Sequence, residues 1–342
     1  MKTLVRLKLR QWAVTASAAL LMGVCGSAQA QTFKYREFVP AGATQTTPGS
    51  INPRGDIAGY YVDAKFVLHG FFRSSGGAIF QVDPPGSGGT VARGVDEEGN
   101  ISGYYLDQAG SYHGFVRRSG GTYVSFDAAS DATQTIALHA NSSGQIAGLF
   151  IDSNGIEHGF LRVPGGTITA FDVPGSTGTV AVSISDAGQI SGDYIDANHI
   201  QHGFLRGIKG VIRSFDPPGS VMTLPTAINL SGQIVGFYLD SSQVQHGFLR
   251  NTDGTIVSVD PPGSTMTNVT AISRDGVLAG YYQTGGTFAQ HGFLRRIDGT
   301  MVSFDPPGST ETSVFGLNCA HEVVGNENSH NGVFRGFLFT AP

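Results

Sequence analysis

The chain has 342 residues, 40% of them hydrophobic, with 49 glycines and only 14% charged side chains. A formal net charge of −5 leaves no basic footprint of the kind nucleic acids require, so that class of partner is excluded. So much glycine with so little charge suits many short strands joined by tight turns.

Residues 1–30 read as a secretory signal peptide. Lys2, Arg6, Lys8 and Arg10 form a basic start, an apolar run follows over residues 12–24, and Ala28-Gln29-Ala30 is a small-x-small cleavage site. The expected location is secreted or periplasmic, with cleavage near Ala30. A lipoprotein anchored through Cys25 is the rival, but Val24 stands where a lipobox wants a small residue. No later stretch reaches membrane-spanning length, so no transmembrane segment is expected. Cleavage would remove the four basic residues and take the net charge from −5 to −9. It would also remove Cys25 and Trp12, leaving Cys319 without a disulfide partner and no tryptophan.

After the signal, residues 33–39 with Pro40-Ala41-Gly42 read as a lone strand and exit turn. From there a repeat governs the chain. His-Gly-Phe recurs at His69, His113, His158, His202, His246 and His291, and a degenerate copy is Arg335-Gly336-Phe337. The intervals are 44, 45, 44, 44, 45 and 44 residues, a regularity that marks a repeat architecture. One unit shows the pattern. Residues 223–229 form strand A, 233–239 alternate as strand B, 245–250 form strand C and 255–259 form strand D. Gly, Asn, Asp and Pro occupy the corners, where backbone angles are special. Pro261-Pro262 cannot sit in a hydrogen-bonded ladder and marks the exit from the sheet.

Four short antiparallel strands per unit predict an all-β, seven-bladed β-propeller over residues 31–342. The last unit stops after its strand C at 335–340, so the strand at 33–39 is expected to complete the seventh blade and close the ring. The motif Ile-Asn-x-x-Gly-x-Ile-x-Gly at 228–236, followed by His-Gly-Phe-Leu at 246–249, resembles the HAF-type extracellular repeat family of bacterial secreted proteins. That resemblance implies export and a repeat architecture, and no catalytic residues.

Five histidines have an aspartate six residues before them: Asp63 and His69, Asp107 and His113, Asp152 and His158, Asp196 and His202, Asp240 and His246. Such pairs would face one another across the B–C hairpin. They suit a structural hydrogen bond or a cation site, and their repetition favours structure. Asp-Pro-Pro-Gly-Ser and its variants begin at Asp83, Asp127, Asp172, Asp216, Asp260 and Asp305. A hydroxyl follows at Thr46, Thr90, Thr135, Thr179, Thr223, Thr267 and Ser313. The expected role of these aspartates is local capping of the turn. Five B–C and six D–A carboxylates would share one face, open to a cation or a basic partner. The arginines ending strand C, such as Arg73 and Arg250, are expected to be solvated or to brace the C–D turn. A strand-B aromatic such as Tyr104 or Tyr238 is expected to cover the glycine that follows each histidine.

Departures from the repeat point to a unique site. Arg93 and His139 replace small or apolar residues of strand A near the channel and are the candidate ligand-binding pair. Glu97 and Glu98 crowd one A–B turn, and Cys319, His321, Glu322 and His330 make the last blade divergent. The leading expectation is a monomeric, non-enzymatic binding or scaffold module with a protein or glycan partner at one face and no cofactor. The alternatives are a polymer-degrading lyase or hydrolase acting in the channel, and a structural protein stabilised by calcium or another cation.

Overall fold

The computed structural model describes residues 34–285, 289–329 and 332–340. The expected signal peptide, its cleavage site at Ala30 and His330 lie outside the described residues.

Every regular element among these residues is a strand, and strand pairing sorts them into seven antiparallel sets of four. The inner strands, in chain order, are β2 (Ala43–Ile51), β6 (Gly89–Val95), β10 (Gln134–Ala140), β14 (Gly178–Ile184), β18 (Ser220–Ile228), β22 (Ser264–Ile272) and β26 (Ser309–Leu317). Each contacts the next, and β26 contacts β2, so the sets close into a ring. A single parallel pairing, Gln245 with Met266, joins the fifth and sixth sets. This is a β-propeller, with each set one blade. Strand A begins earlier than the repeat suggests, at Ser220 rather than Thr223, because the exit turn leads directly into the ladder.

The seventh blade contains β26, β27 (Glu322–Ser329), β28 (Phe334–Thr340) and β1 (Lys34–Phe38). Lys34 pairs with Thr340 and Phe38 with Gly336, so a strand from the start of the described chain supplies the outer edge of the last blade.

The His-Gly-Phe motif explains the packing between blades. Phe71, Phe115, Phe160, Phe204, Phe248, Phe293 and Phe337 are all fully buried, each contributing about 1.5–3 kcal/mol of apolar burial. In five of the seven blades the preceding glycine makes room for a strand-D aromatic, not for one from strand B; Val82 and Val259 stand there in the first and fifth. A Cβ on Gly292 would lie 2.7 Å from the Phe304 ring, and one on Gly203 would lie 2.8 Å from Phe215. Of the strand-C arginines, Arg73 and Arg250 brace the C–D turn as expected, donating to the Ser74 and Asn251 carbonyls, and several also pack between blades. The guanidinium of Arg73 lies 5.0 Å from the ring centre of Phe38, that of Arg162 4.7 Å from Phe126 and that of Arg250 5.0 Å from Phe215. Each therefore stacks on the strand-D aromatic of the preceding blade, a cation–π contact favoured where water is displaced.

Candidate functional site

The conspicuous histidines come first. Each Nδ1–H reaches the aspartate of the D–A turn: 2.7 Å from His69 to Asp83 and from His113 to Asp127, 2.9 Å from His158 to Asp172, 2.7 Å from His202 to Asp216, 2.9 Å from His246 to Asp260 and 2.8 Å from His291 to Asp305. The B–C aspartate is the weaker partner. Asp107 lies 3.3 Å from His113 Nε2, and Asp63, Asp152, Asp196 and Asp240 each lie 3.6 Å from theirs. Imidazoles also stack on strand B, as His158 does on Phe150 and His246 on Tyr238.

The carboxylates are correspondingly occupied. Asp63 Oδ1 accepts the Lys65 and Val67 N–H groups, and the same pattern recurs at Asp107, Asp152, Asp196 and Asp240. These backbone hydrogen bonds hold all five carboxyls below the usual carboxylate range, with their histidines adding to the effect. Asp216 and Asp305 accept Thr223 and Thr312 hydroxyls at 2.6 and 2.7 Å. Asp216 and Asp305 thus tie strand C to the inner strand, and Asp83 and Asp260 instead accept the Gly70 and Gly247 N–H groups of strand C. The seventh buried hydroxyl of this series is Thr312, not Ser313, whose Oγ instead donates to Gln290. Burial alone would pull the His113 and His158 pKa values down. The paired aspartates outweigh it and raise both above the ordinary histidine value. Among the described residues no group of three or more His, Cys, Asp or Glu is arranged to hold a metal ion.

The seventh blade replaces this arrangement. In register, Glu327 stands at the stacking-aromatic position and Arg335 at the histidine position. Arg335 Nη1 donates to Glu37 at 2.9 Å. Glu327 is 3% exposed and its Oε2 has no hydrogen-bond partner. Burial first, and then the Glu37 charge, push its pKa up. His321 pairs with Asp275 of the sixth blade at 2.9 Å, and Cys319 is exposed at the channel mouth.

The channel is where the blades differ most. It encloses a cavity of about 830 Å³ lined by the inner strands. Every inner strand carries a β-bulge at the same place, marked by a register shift between Pro48 and Ser50, Ala92 and Gly94, Ala137 and His139, Ala181 and Ser183, Pro225 and Ala227, Val269 and Ala271, and Val314 and Gly316. The extra residue of a bulge is unpaired and re-aimed. Those residues, Gly49, Arg93, Leu138, Val182, Thr226, Thr270 and Phe315, all line the cavity as one girdle. The Thr226 and Thr270 hydroxyls donate to backbone carbonyls. Arg93 is the girdle's one charged member and has neither an ion pair nor a hydrogen bond among the described residues.

His139 follows girdle residue Leu138 on the next inner strand from Arg93, so both sequence candidates face one cavity. Its Nδ1 accepts the Ile184 N–H at 3.4 Å. Burial pushes its pKa down against the pull of Asp186, which favours the neutral ring, and a neutral ring that accepts at Nδ1 donates from Nε2. At the two mouths lie Glu97, Asp186, Arg274 and Glu311.

No family model and no curated protein matches the sequence. Solved structures match the fold. A streptogramin B lyase superposes with a TM-score of 0.60 at 14% identity, over 91% of this chain and 98% of the other. A catalytically inactive histidine-to-alanine variant of virginiamycin B lyase from Staphylococcus aureus, with quinupristin, gives 0.62 at 13%, over 91% and 100%. Puromycin hydrolase gives 0.60 at 10%, over 88% of this chain and 53% of the other. At such identities the likeness is one of fold, and it agrees with the propeller described above. No helix among the described residues is long and apolar enough to cross a membrane.

Proposed function

We propose that this chain is an exported, non-enzymatic binding module of the HAF-repeat kind, and that its ligand site is the central channel. One observation carries the reading. Blade packing fixes nearly the same residues in every unit, whereas the seven bulge positions hold Gly, Arg, Leu, Val, Thr, Thr and Phe around one cavity of about 830 Å³. That volume suits a small molecule. The carboxylate–histidine face supports no comparable site, because its polar groups already hold one another.

A thermal-shift screen of small metabolites tests this, run on the wild type and on Val182→Trp, which plugs the girdle. The reading expects compounds that raise the wild-type Tm and leave the plugged variant unmoved. Compounds that stabilise both equally would refute a channel site. Chemical analysis of the bound compounds addresses the competing lyase or hydrolase reading, which draws on the same cavity and on the names of the enzymes sharing the fold. Recovery unchanged supports binding alone, and cleavage of a bound compound would replace it.

A further inference from the structure

We infer that the channel ligand is an amphipathic anion: a carboxylate or sulfonate held by Arg93, with an apolar body lying against Leu138, Val182 and Phe315. The inference rests on the channel reading above and names the chemistry that reading leaves open.

Arg93 projects from a bulge into the cavity, where solvation is poorer than on an open surface and a cation without a counter-charge is costly. Five other buried or half-buried arginines have partners. Arg73, Arg162, Arg206 and Arg250 stack on rings, and Arg335 pairs with Glu37. The neighbouring girdle position is Gly49, which has no side chain to crowd the guanidinium. Gly49 is fixed by packing: a Cβ there would meet the Ala92 and Arg93 carbonyl oxygens at 3.1 and 3.3 Å. A planar guanidinium matches a carboxylate or sulfonate.

His139 supplies a second donor. Its Nδ1 is engaged by Ile184, which leaves Nε2–H for a ligand oxygen. The rest of the girdle does not compete for the anion. Leu138, Val182 and Phe315 are apolar, and both threonine hydroxyls are spent on backbone. The carboxylates Glu97, Asp186 and Glu311 stand at the mouths of the channel, outside the girdle. Among the described residues Arg274 is the one cation beside them, so the mouths are net acidic, and an anion at the waist meets the guanidinium.

Two fluorescent dyes of nearly equal shape isolate the charge: 1-anilinonaphthalene-8-sulfonate, an anion, and N-phenyl-1-naphthylamine, its neutral counterpart. Titrations use the wild type, Arg93→Leu and the two plugs Val182→Trp and Leu138→Trp, each with folding checked by circular dichroism and Tm. The expected result is that Arg93→Leu weakens the anionic dye about tenfold or more and changes the neutral dye less than about twofold. Both plugs should abolish binding of both dyes. If Arg93→Leu leaves the anionic dye unaffected while a folded plug abolishes it, the anion inference is overturned and the channel reading stands. Binding that survives both folded plugs, or no binding of either dye to the wild type, overturns both.

Discussion

The Nδ2 group of Asn318 donates to the backbone carbonyl of Asn52 at 3.1 Å, across 266 residues of chain. Three equivalent bonds run between adjacent blades, from Asn52 to Asp96, Asn141 to Ser185 and Asn229 to Ser273. The asparagine of the Ile-Asn-x-x-Gly motif is therefore a clasp between blades, and the Asn318 copy joins the last blade to the first. Its Oδ1 also accepts the Ala320 and Glu322 N–H groups of its own turn.

Those two roles separate by mutation. Asn318→Asp keeps the acceptor that shapes the turn, as Asp96 does in the second blade, and loses the donor to Asn52; paired with Glu322→Gln, which replaces the carboxylate 2.8 Å from Nδ2 by an amide, it adds no like-charge contact. Asn318→Ala loses both. Urea unfolding should show a loss of about 1 kcal/mol for the first and about 2–3 kcal/mol for the second. No loss in Asn318→Asp would mean that the clasp contributes nothing, and equal losses in the two variants that the turn acceptor contributes nothing.

Stability should be greatest in mild acid, because three sets of groups bracket that range from its two sides. His113 and His158 have raised pKa values, so their contribution is complete below the ordinary histidine value of 6.5 and is lost as pH rises through the folded values. The five B–C aspartates are held low, so theirs is present above the ordinary carboxylate value of 3.8 and lost as pH falls through the depressed ones. Asp193 is the reverse. Burial, opposed by a hydrogen bond from Gln201, lifts it to about 6, so its ionisation costs stability as pH rises from 3.8 toward that value. Tm should peak at about pH 4 to 6 and fall on both sides. A Tm that climbs steadily to pH 8 would contradict the histidine and Asp193 assignments, and one that does not fall below pH 4 would contradict that of the B–C aspartates.

Asp193 offers a sharper test. It is 3% exposed and occupies a strand-B position where the first, second and sixth blades have Tyr60, Tyr104 and Tyr281. Asn at that position removes the buried charge and retains a hydrogen bond to Gln201. Asp193→Asn should stabilise the protein at pH 8 by up to about 3 kcal/mol, the equivalent of the shift to about 6. It should have little effect at pH 4, where the wild-type carboxyl is already neutral in the fold. Chemical unfolding of both proteins at the two pH values measures the difference.

The blade plan was legible because each unit repeats the same turn residues at the same spacing, and even the β1–β28 closure follows from where the repeat breaks off. The site was legible in part. Arg93 and His139 stand out as interruptions of an otherwise apolar strand, yet the bulge that turns Arg93 into the channel has no residue signature of its own. Its seven positions differ in type, and only the register with strand B reveals them. The stronger histidine partner was missed for a related reason. Asp83 stands fourteen residues after His69, beyond the C–D hairpin, and the nearer Asp63 drew the pairing. The same fourteen-residue spacing holds for all six histidines, against five for the nearer aspartate, and that completeness was the available signal. The stacking of Arg73 on Phe38 lies between blades and follows from ring geometry, which no single repeat encodes.

The histidine network should act as a scaffold, with each copy contributing on its own. Asp172→Asn in the third blade and Asp216→Asn in the fourth each leave a neutral partner for an imidazole that now faces a full carboxylate at 2.9 or 2.7 Å. These groups are partly exposed, so solvent screening limits each loss to about 1 kcal/mol. The two sites share no partner, so the double variant should lose close to the sum. Dye binding in the channel should be unchanged in all three proteins. A single blade whose aspartate variant abolished channel binding while the others did not would show that one histidine pair serves the ligand, and would break the equivalence on which the structural assignment rests.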